Sequence, residues 1–524
     1  MITLSDISKK VGSRLLFENI NAAFNAGNRY GLTGPNGSGK STLLKIMMGI
    51  EEATSGTATL PKKVGFLRQN IEAFKDYDVV SSVIMGNKRL WGAMQERDQL
   101  YMVEMTDDIG IRLGELEEIV AEENGYSAES EAEELLVGMG IPASLHGKKM
   151  HEIPTDSQFR VLLCQALFGD PDALLLDEPT NHLDMESIGW LENFLHNYKG
   201  VLIVISHDRH FLNAVTTHIA DIDYDTLIVY PGNYDQMVVA KTSVRERAED
   251  ENKSKEKKIE QLQEFVSKFG AGTRASQVKS RIREINRLQP TELKKSNIQR
   301  PYIRFYPPEK PSGEIVMKLD NISKSYGSHP VISHLSFDIL RGQKIGVIGN
   351  NGRGKTTLLK MLAGVLAQDS GRIEPGHQVQ IGYIPQNHSD VIDKKSNITG
   401  FEWLKSQREN VYDQDVRSVL GKMLFGGDDA FKPVSHLSGG ETARLIMAGM
   451  MLCNYNFLVM DEPNGHLDLE AVAALGWALQ DFKGTVIMAA HDRELLDEVA
   501  TKIISFEKNG IEIFDGPLEE YLRS

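Results

Sequence analysis

The chain carries the pattern Gly-x-x-x-x-Gly-Lys-Ser/Thr twice, as Gly34-Pro-Asn-Gly-Ser-Gly-Lys-Ser41 and, 315 residues later, as Gly349-Asn-Asn-Gly-Arg-Gly-Lys-Thr356. Such a loop needs glycines because backbone N–H groups must close around phosphate oxygens, a lysine to reach the outer phosphates, and a hydroxyl for Mg2+. About one random chain of this length in a hundred would hold one match; two in register are not chance. Other residues keep the same spacing. Arg160 precedes Asp177 by 17 residues as Arg444 precedes Asp461, and Asp177 precedes His207 by 30 as Asp461 precedes His491. Two copies of one domain are therefore expected.

Short apolar runs, Ala173 to Leu176, Val201 to Ile205, Phe457 to Met460 and Thr485 to Met488, alternate with longer helical patterns, which argues for a parallel α/β fold. The copies differ in one interval: 84 residues separate Gln69 from Ile153, but only 51 separate Gln386 from Leu437. Copy one, residues 1–237, thus holds an insertion, the arm, at about 87–134. Copy two spans 313–524 and is expected to close the chain without an extension. Between them, 238–312 shows apolar residues at helical spacing on either side of Gly270-Ala-Gly272, which predicts a helical hairpin.

Charge is unevenly placed. Against 58 Lys and Arg stand 73 Asp and Glu, a net −15, yet Lys268 to Arg304 holds ten basic and two acidic residues. A run of lysines is usually a solvated helix face, but a basic hairpin tip on an acidic protein favours a polyanion contact. Arg274, Lys279, Arg281 and Arg283 are its candidate RNA-binding residues. The arm, Asn87 to Glu134, has four basic and fourteen acidic residues, so RNA should repel it and a basic protein or solvent should meet it. Two cysteines, Cys164 and Cys453, leave no disulfide framework, zinc site or iron–sulfur cluster and point to a reducing, cytoplasmic compartment. The apolar runs are strand-sized, far below the ~18 residues of a membrane span, and the first residues lack a signal layout, so neither spanning nor export is expected.

The remaining candidates follow from chemistry at strand ends. In the phosphate loops, Gly34, Asn36, Gly37, Gly39, Lys40, Ser41 and Thr42 of copy one match Gly349, Asn351, Gly352, Gly354, Lys355, Thr356 and Thr357 of copy two as ATP-binding residues. Asp177 and Asp461, with Ser41 and Thr356, are candidates for Mg2+; Glu178 and Glu462 follow, placed to polarise an attacking water. A pair of acidic residues alone would read as a helix cap. His207 and His491 are candidates for the γ-phosphate; a lone histidine at a strand end is more often structural, but two at identical offsets are not. Gln69 and Gln386 are placed for the metal or water shell. Leu437-Ser-Gly-Gly-Glu441 is a glycine turn opening a helix, suited to an anion.

With these motifs the chain resembles the twin-cassette ATP-binding-cassette ATPases, and Leu437-Ser-Gly-Gly-Glu441 is similar to that family's signature. The resemblance covers nearly the whole chain except linker and arm. It implies a Mg-dependent ATPase in which the cassettes close head-to-tail, the phosphate loop of one facing the signature of the other, here Ser438, Gly439 and Gly440. The linker of about 75 residues with its basic tip resembles the ABC-F branch, which implies binding to the ribosome in the tRNA exit site, the linker reaching toward tRNA, and a monomer without a membrane partner. The arm text Val83-Ile-Met-Gly-Asn-Lys-Arg-Leu-Trp91 and Asn124-Gly-Tyr-Ser-Ala128 looks most like the bacterial YbiT-type members.

Departures from the pattern matter. Aligned on Arg160 and Arg444, the first signature is Ile153-Pro-Thr-Asp-Ser157, without either glycine. Asp461-Glu-Pro-Asn-Gly-His-Leu-Asp468 differs from Asp177-Glu-Pro-Thr-Asn-His-Leu-Asp184, and where the family stacks an aromatic on adenine, copy two has Tyr326 but copy one has Val11. Site one is therefore expected to combine loop one with the intact signature, and site two to combine loop two with Pro154-Thr-Asp156. Two rival functions are the ATPase subunit of a membrane transporter, disfavoured by the fusion and the basic hairpin, and a DNA-repair or chromosome ATPase, which would need zinc cysteines or very long coiled coils.

Overall fold

The computed structural model describes the chain except residues 13, 68, 69, 182, 270–282, 284, 286–299, 328, 508, 509 and 524. Copy one contributes β1 (Ile2–Val11), β2 (Arg14–Phe24), β3 (Arg29–Thr33), β4 (Ser55–Thr59), β5 (Val64–Phe66), β6 (Ala173–Asp177), β7 (Val201–Ile205), β8 (His218–Asp223) and β9 (Thr226–Pro231). β1, β2 and β4 form an antiparallel sheet, and the rest a sheet of order β5-β6-β7-β3-β8-β9, parallel except for β9. Copy two repeats this with β10 (Ile315–Tyr326), β11 (His329–Leu340), β12 (Lys344–Gly349), β13 (Ser370–Pro375), β14 (Ile381–Ile384), β15 (Phe457–Asp461), β16 (Thr485–Ala489), β17 (Lys502–Glu507) and β18 (Gly510–Phe514). Its orders, β11-β10-β13 and β14-β15-β16-β12-β17-β18, match those of copy one strand for strand.

The central strands are apolar at every position because both faces are covered. Along β7, Leu202 and Val204 enter a core shared with the helices Thr155–Leu167 and Met185–Asn197, while Val201, Ile203 and Ile205 face Phe17, Leu43 and Leu44 on the opposite side. In β16, Val486 and Met488 divide from Ile487 and Ala489 in the same way. Parallel strands collect their C-terminal ends on one edge, where a strand-to-helix turn leaves backbone N–H groups available to a ligand. β3, β6 and β7 deliver Gly34, Asp177 and His207 to that edge, as β12, β15 and β16 deliver Gly349, Asp461 and His491.

The arm is a helical hairpin of Lys88–Leu100 and Asp107–Glu122, capped by the Asn87 and Thr106 side chains. Arg112 bridges to Glu96 at 2.6 Å and Arg89 to Glu122 at 2.7 Å, and the buried Glu123 ties the arm to the cassette through Lys63 at 2.6 Å. The following helix, Ala128–Gly138, belongs to the cassette core, where Leu136 is fully buried, so position 134 lies inside it. The linker opens with the helix Tyr234–Phe269, whose first turn is packed on the cassette through Tyr234 and Met237; the 237/238 boundary likewise lies within a helix. Of the second linker helix expected from sequence, Arg283 and Ile285 are described as helical; the Gly270-Ala-Gly272 turn, Arg274, Lys279 and Arg281 lie outside the described residues. Replacing Leu136 with Ala should lower stability by about 2–5 kcal/mol through the cavity it leaves. The expected result is an earlier first transition in urea unfolding followed by tryptophan fluorescence.

Candidate functional site

Both phosphate loops hold a left-handed backbone at matching glycines, with φ of 139°, 80° and 96° at Gly34, Gly37 and Gly39, and 132°, 77° and 116° at Gly349, Gly352 and Gly354. Gly39 is doubly constrained, since a Cβ there would lie 2.9 Å from the Phe17 ring. Each loop ends where a helix begins, Lys40–Met47 and Lys355–Leu362, so its N–H groups and the helix N-terminus face one point. Thr42 and Thr357 lie in the first turns of these helices. Lys40 Nζ donates to the carbonyls of Gly34 at 2.7 Å and Pro35 at 3.2 Å, and Lys355 Nζ to those of Gly349 at 2.5 Å and Asn350 at 3.4 Å. Burial pulls both ammoniums below the usual lysine range, against the pull of the surrounding carboxylates.

Asp177 and Asp461 are held up by burial, while the hydroxyls of Ser41 and Thr356 respectively bond to them. Asp461 Oδ2 is buried with no hydrogen-bond partner, which fits an ion or its water shell. Among the described residues no three His, Cys, Asp or Glu side chains gather to enclose a metal. A hydroxyl and one carboxylate suit Mg2+, which keeps several waters and takes phosphate oxygens rather than an all-protein cage.

Glu178 and Glu462 have φ of 53° and 51°, a region costly for residues other than glycine and held here by tertiary contacts. The backbone N–H of Glu178 bonds to the Ile205 carbonyl at 2.9 Å, and that of Glu462 to the Ala489 carbonyl at 2.8 Å. The turn aims each carboxylate at the histidine after the next strand: His207 Nε2 is 3.2 Å from Glu178 Oε1 and His491 Nε2 3.4 Å from Glu462 Oε1. Burial pushes Glu178 up to about 7 and Glu462 up to about 8, and pulls both histidines down to about 3, so the imidazoles stay neutral.

The copies meet head-to-tail. Asn36 of loop one donates from its side chain to the His466 carbonyl at 3.3 Å and from its backbone to Asp468 at 3.4 Å, and a Cβ at Gly440 would lie 2.7 Å from Asn36 Nδ2. Loop two meets copy one in turn, Asn350 donating to Glu186 at 3.2 Å. Asn351 Oδ1 lies 3.0 Å from His491 Nε2. Arg209 pairs with Glu494, and Arg493 with the Met185 carbonyl at 3.3 Å, beside the two sites. A cavity of about 1170 Å3 runs between the copies, bordered by Glu178 and His207 with Ser438, Gly439 and Gly440 on one side and by Glu462 and His491 with Asp156 on the other.

The signature turns differ as their sequences do. Ser438 caps the helix Gly439–Cys453 in a reciprocal box with Glu441, with N···O distances of 3.3 and 2.7 Å. Pro154 opens Thr155–Leu167 without a side-chain cap, and Asp156 in its first turn faces His491. Gln386 is exposed at the cavity edge, and Gln69 lies outside the described residues. Val11 and Tyr326 occupy corresponding hairpin ends and are both about half-exposed, at 55% each. Arg283 is exposed on the linker, remote in sequence from the loops.

A family model described as ABC transporter matches residues 17–181 and 332–465, and a second, also described as ABC transporter, matches 220–305 across the linker base. The probable ATP-binding protein YbiT of Escherichia coli O157:H7 is 44% identical over 100% of this chain and 99% of its own length. The chain belongs to the ABC-F family of ATP-binding-cassette ATPases. It binds and hydrolyses ATP. The energy-dependent translational throttle protein EttA of Escherichia coli K12 is 34% identical over 97% of this chain and 92% of its own, and the uncharacterized YkpA of Bacillus subtilis 40% over 100% and 98%. Among solved structures, an archaeal ribosome recycling factor aABCE1, in complex with the stalk protein aP1, matches with a TM-score of 0.61 at 18% identity, covering 99% of this chain and 92% of that one, which bears on fold alone.

The α/β twin-cassette architecture and the YbiT-type resemblance of the arm stand with these matches. Sequence reasoning missed the strained glutamate turns and the Asn36 contacts. The glutamates' strain has no sequence signal, because both copies carry the same ordinary Asp-Glu-Pro; the pairing of Asn36 with His466 and Asp468 joins residues more than 400 positions apart. Gly39→Ala should clash with Phe17 and cut ATP affinity at loop one more than tenfold, by about 1.4 kcal/mol or more. Equilibrium dialysis with the variant checked for an unchanged melting temperature tests it.

Proposed function

We propose that this ATPase binds the ribosome at the tRNA exit site and uses closure of its cassettes on ATP, followed by hydrolysis, to regulate translation in the cytoplasm. The observation that carries this reading is the likeness over nearly the whole chain to a protein named a translational throttle, arm and linker included. A 36-residue helix rises from the end of copy one, and no helix among the described residues is long and apolar enough to cross a membrane. The basic stretch around Arg274, Lys279, Arg281 and Arg283 is assigned to ribosomal RNA or tRNA, where phosphate contacts release counterions. The acidic arm is assigned to a basic ribosomal protein. A monomer suffices, since the head-to-tail contacts are made within one chain.

In each site the lysine and the loop N–H groups hold the outer phosphates, with Ser438, Gly439 and Gly440 bordering site one from the other copy. Ser41 with Asp177, and Thr356 with Asp461, would hold Mg2+, which when bound neutralises charge on the phosphate oxygens. Glu178 and Glu462, poised by burial near neutral pH, take the proton of the attacking water. His207 and His491 hold the glutamates in place and, staying neutral, present a nitrogen to the γ-phosphate side of the site. At site two the missing glycines remove close backbone approach, and Asp156 adds negative charge beside His491. Site one turns over faster; site two holds nucleotide longer. Val11 in place of an aromatic raises the KM of site one without removing its chemistry.

Replacing Glu178 and Glu462 together with Gln should leave ATP bound and the cassettes closed. The double variant is expected to co-sediment with ribosomes in saturating ATP and to inhibit translation; sedimentation as free protein would refute the ribosome reading. Donors at the γ-phosphate each contribute about 10²–10³ in rate, so Glu178→Gln alone should remove most ATPase activity and Glu462→Gln much less. Steady-state phosphate release distinguishes the two, and equal losses would overturn the assignment of the faster site.

A further inference from the structure

β8 carries two carboxylates, Asp221 and Asp223, that are 1% and 0% exposed and share one face because strand side chains alternate. One ammonium, that of Lys241, lies 2.6 Å from an oxygen of each. Lys241 stands in the second turn of the helix Tyr234–Phe269, and so belongs to the linker rather than to the cassette. Burial works against its charge, but Asp221 and Asp223 hold it above the usual lysine range. Its Nζ also lies over the Tyr224 ring, 5.9 Å from the centroid.

The other oxygen of Asp221 accepts a buried hydrogen bond from the Thr33 hydroxyl at 3.1 Å. Thr33 ends β3, pairs in register with Asp221, and immediately precedes Gly34 of the phosphate loop. Gly34 is so close to β8 that a Cβ would come within 2.7 Å of the Ile222 carbonyl. The segment Asp221–Asp223 thus touches loop one on one side and the linker helix on the other. Copy two is built differently at the same register. Ile348 and Ser505 form the corresponding pair, and the Ser505 and Tyr521 hydroxyls bond to Glu507 at 2.6 and 3.1 Å. Ile348 has no hydroxyl to offer, so loop two has no counterpart to the Thr33–Asp221 bond.

We propose that Lys241 is a positioning residue that ties the linker helix to phosphate loop one through Asp221 and Thr33, so that moving the helix base changes ATP affinity at site one and not at site two. By reciprocity, ATP in site one favours one placement of the linker helix. The coupling requires only that the chain binds ATP, and holds whatever the linker touches.

ATP affinity is measured on the full chain with a fluorescent ATP analogue, in a Lys355→Ala background to report site one and in a Lys40→Ala background to report site two. Lys241→Met should raise the Kd of site one about tenfold, within the usual range of coupling between sites, and leave site two unchanged. Lys241→Arg, which keeps a cation for both carboxylates, should restore site one. A lysine that only anchors the helix would lower the melting temperature with both affinities unchanged, or weaken both sites alike; either result overturns the proposal. Should Lys241→Met not fold, Thr33→Val removes the hydroxyl at nearly constant shape. It is expected to weaken site one about threefold, and an unchanged Kd in that variant overturns the proposal equally.

Discussion

Everything at the centre of this molecule is arranged around two buried ammoniums. Lys40 and Lys355 sit where water is scarce, and each is offset by carboxylates from both copies: Glu178, Asp177 and Asp468 around the first, Glu462, Asp461 and Asp184 around the second. A buried charge is tolerated only with partners, and at each lysine one of the three arrives from the opposite cassette, Asp468 at the first and Asp184 at the second. The head-to-tail arrangement therefore supplies more than a second wall for the site. It supplies the charges without which the phosphate-loop lysines would be costly to enclose. The symmetry stops at Arg160, a cation that faces Lys355 while itself bonded to Asp184 at 3.0 Å. Site two thus opposes a different charge pattern to its nucleotide than site one.

Much of this was legible in the sequence because the informative residues are local. Strands such as Val201–Ile205 are uniformly apolar since both faces are buried, and the glycines of the phosphate loops advertise their backbone conformation. The degenerate first signature was equally plain, and Asp156 does face the second site. What escaped was non-local. Lys241 sits in a polar helix whose composition reads as a solvated face, and Asp221 and Asp223 alternate with apolar residues as on any half-exposed strand. Only the packing of that helix on β8 turns three ordinary charges into one buried group. Element boundaries escaped for a related reason: helices at Ala128 and Tyr234 run through positions where composition changes.

The arm and the linker solve opposite electrostatic problems. The arm is acidic, yet its hairpin is laced by Arg89, Arg97 and Arg112, which spend most of its positive charge internally and leave the outer surface negative. Such exposed pairs add little stability each, typically under about 1 kcal/mol. Their effect is on sign: the arm keeps fourteen acidic residues against four basic ones, whereas Lys268 to Arg304 holds ten basic and two acidic. One chain of net charge −15 thereby carries two segments of opposite charge balance.

The linker helix leaves copy one without a break, from Tyr234 to Phe269, and its mechanics follow from its length. Thirty-six residues at a rise of 1.5 Å make a rod of about 54 Å. A rod of that length turns a base rotation of about 10° into a displacement of about 9 Å at its far end, simply as radius times angle. With its base seated on β8 beside the first phosphate loop, a rotation too small to notice locally would become, at the distal end, a step wider than the spacing between neighbouring nucleotides.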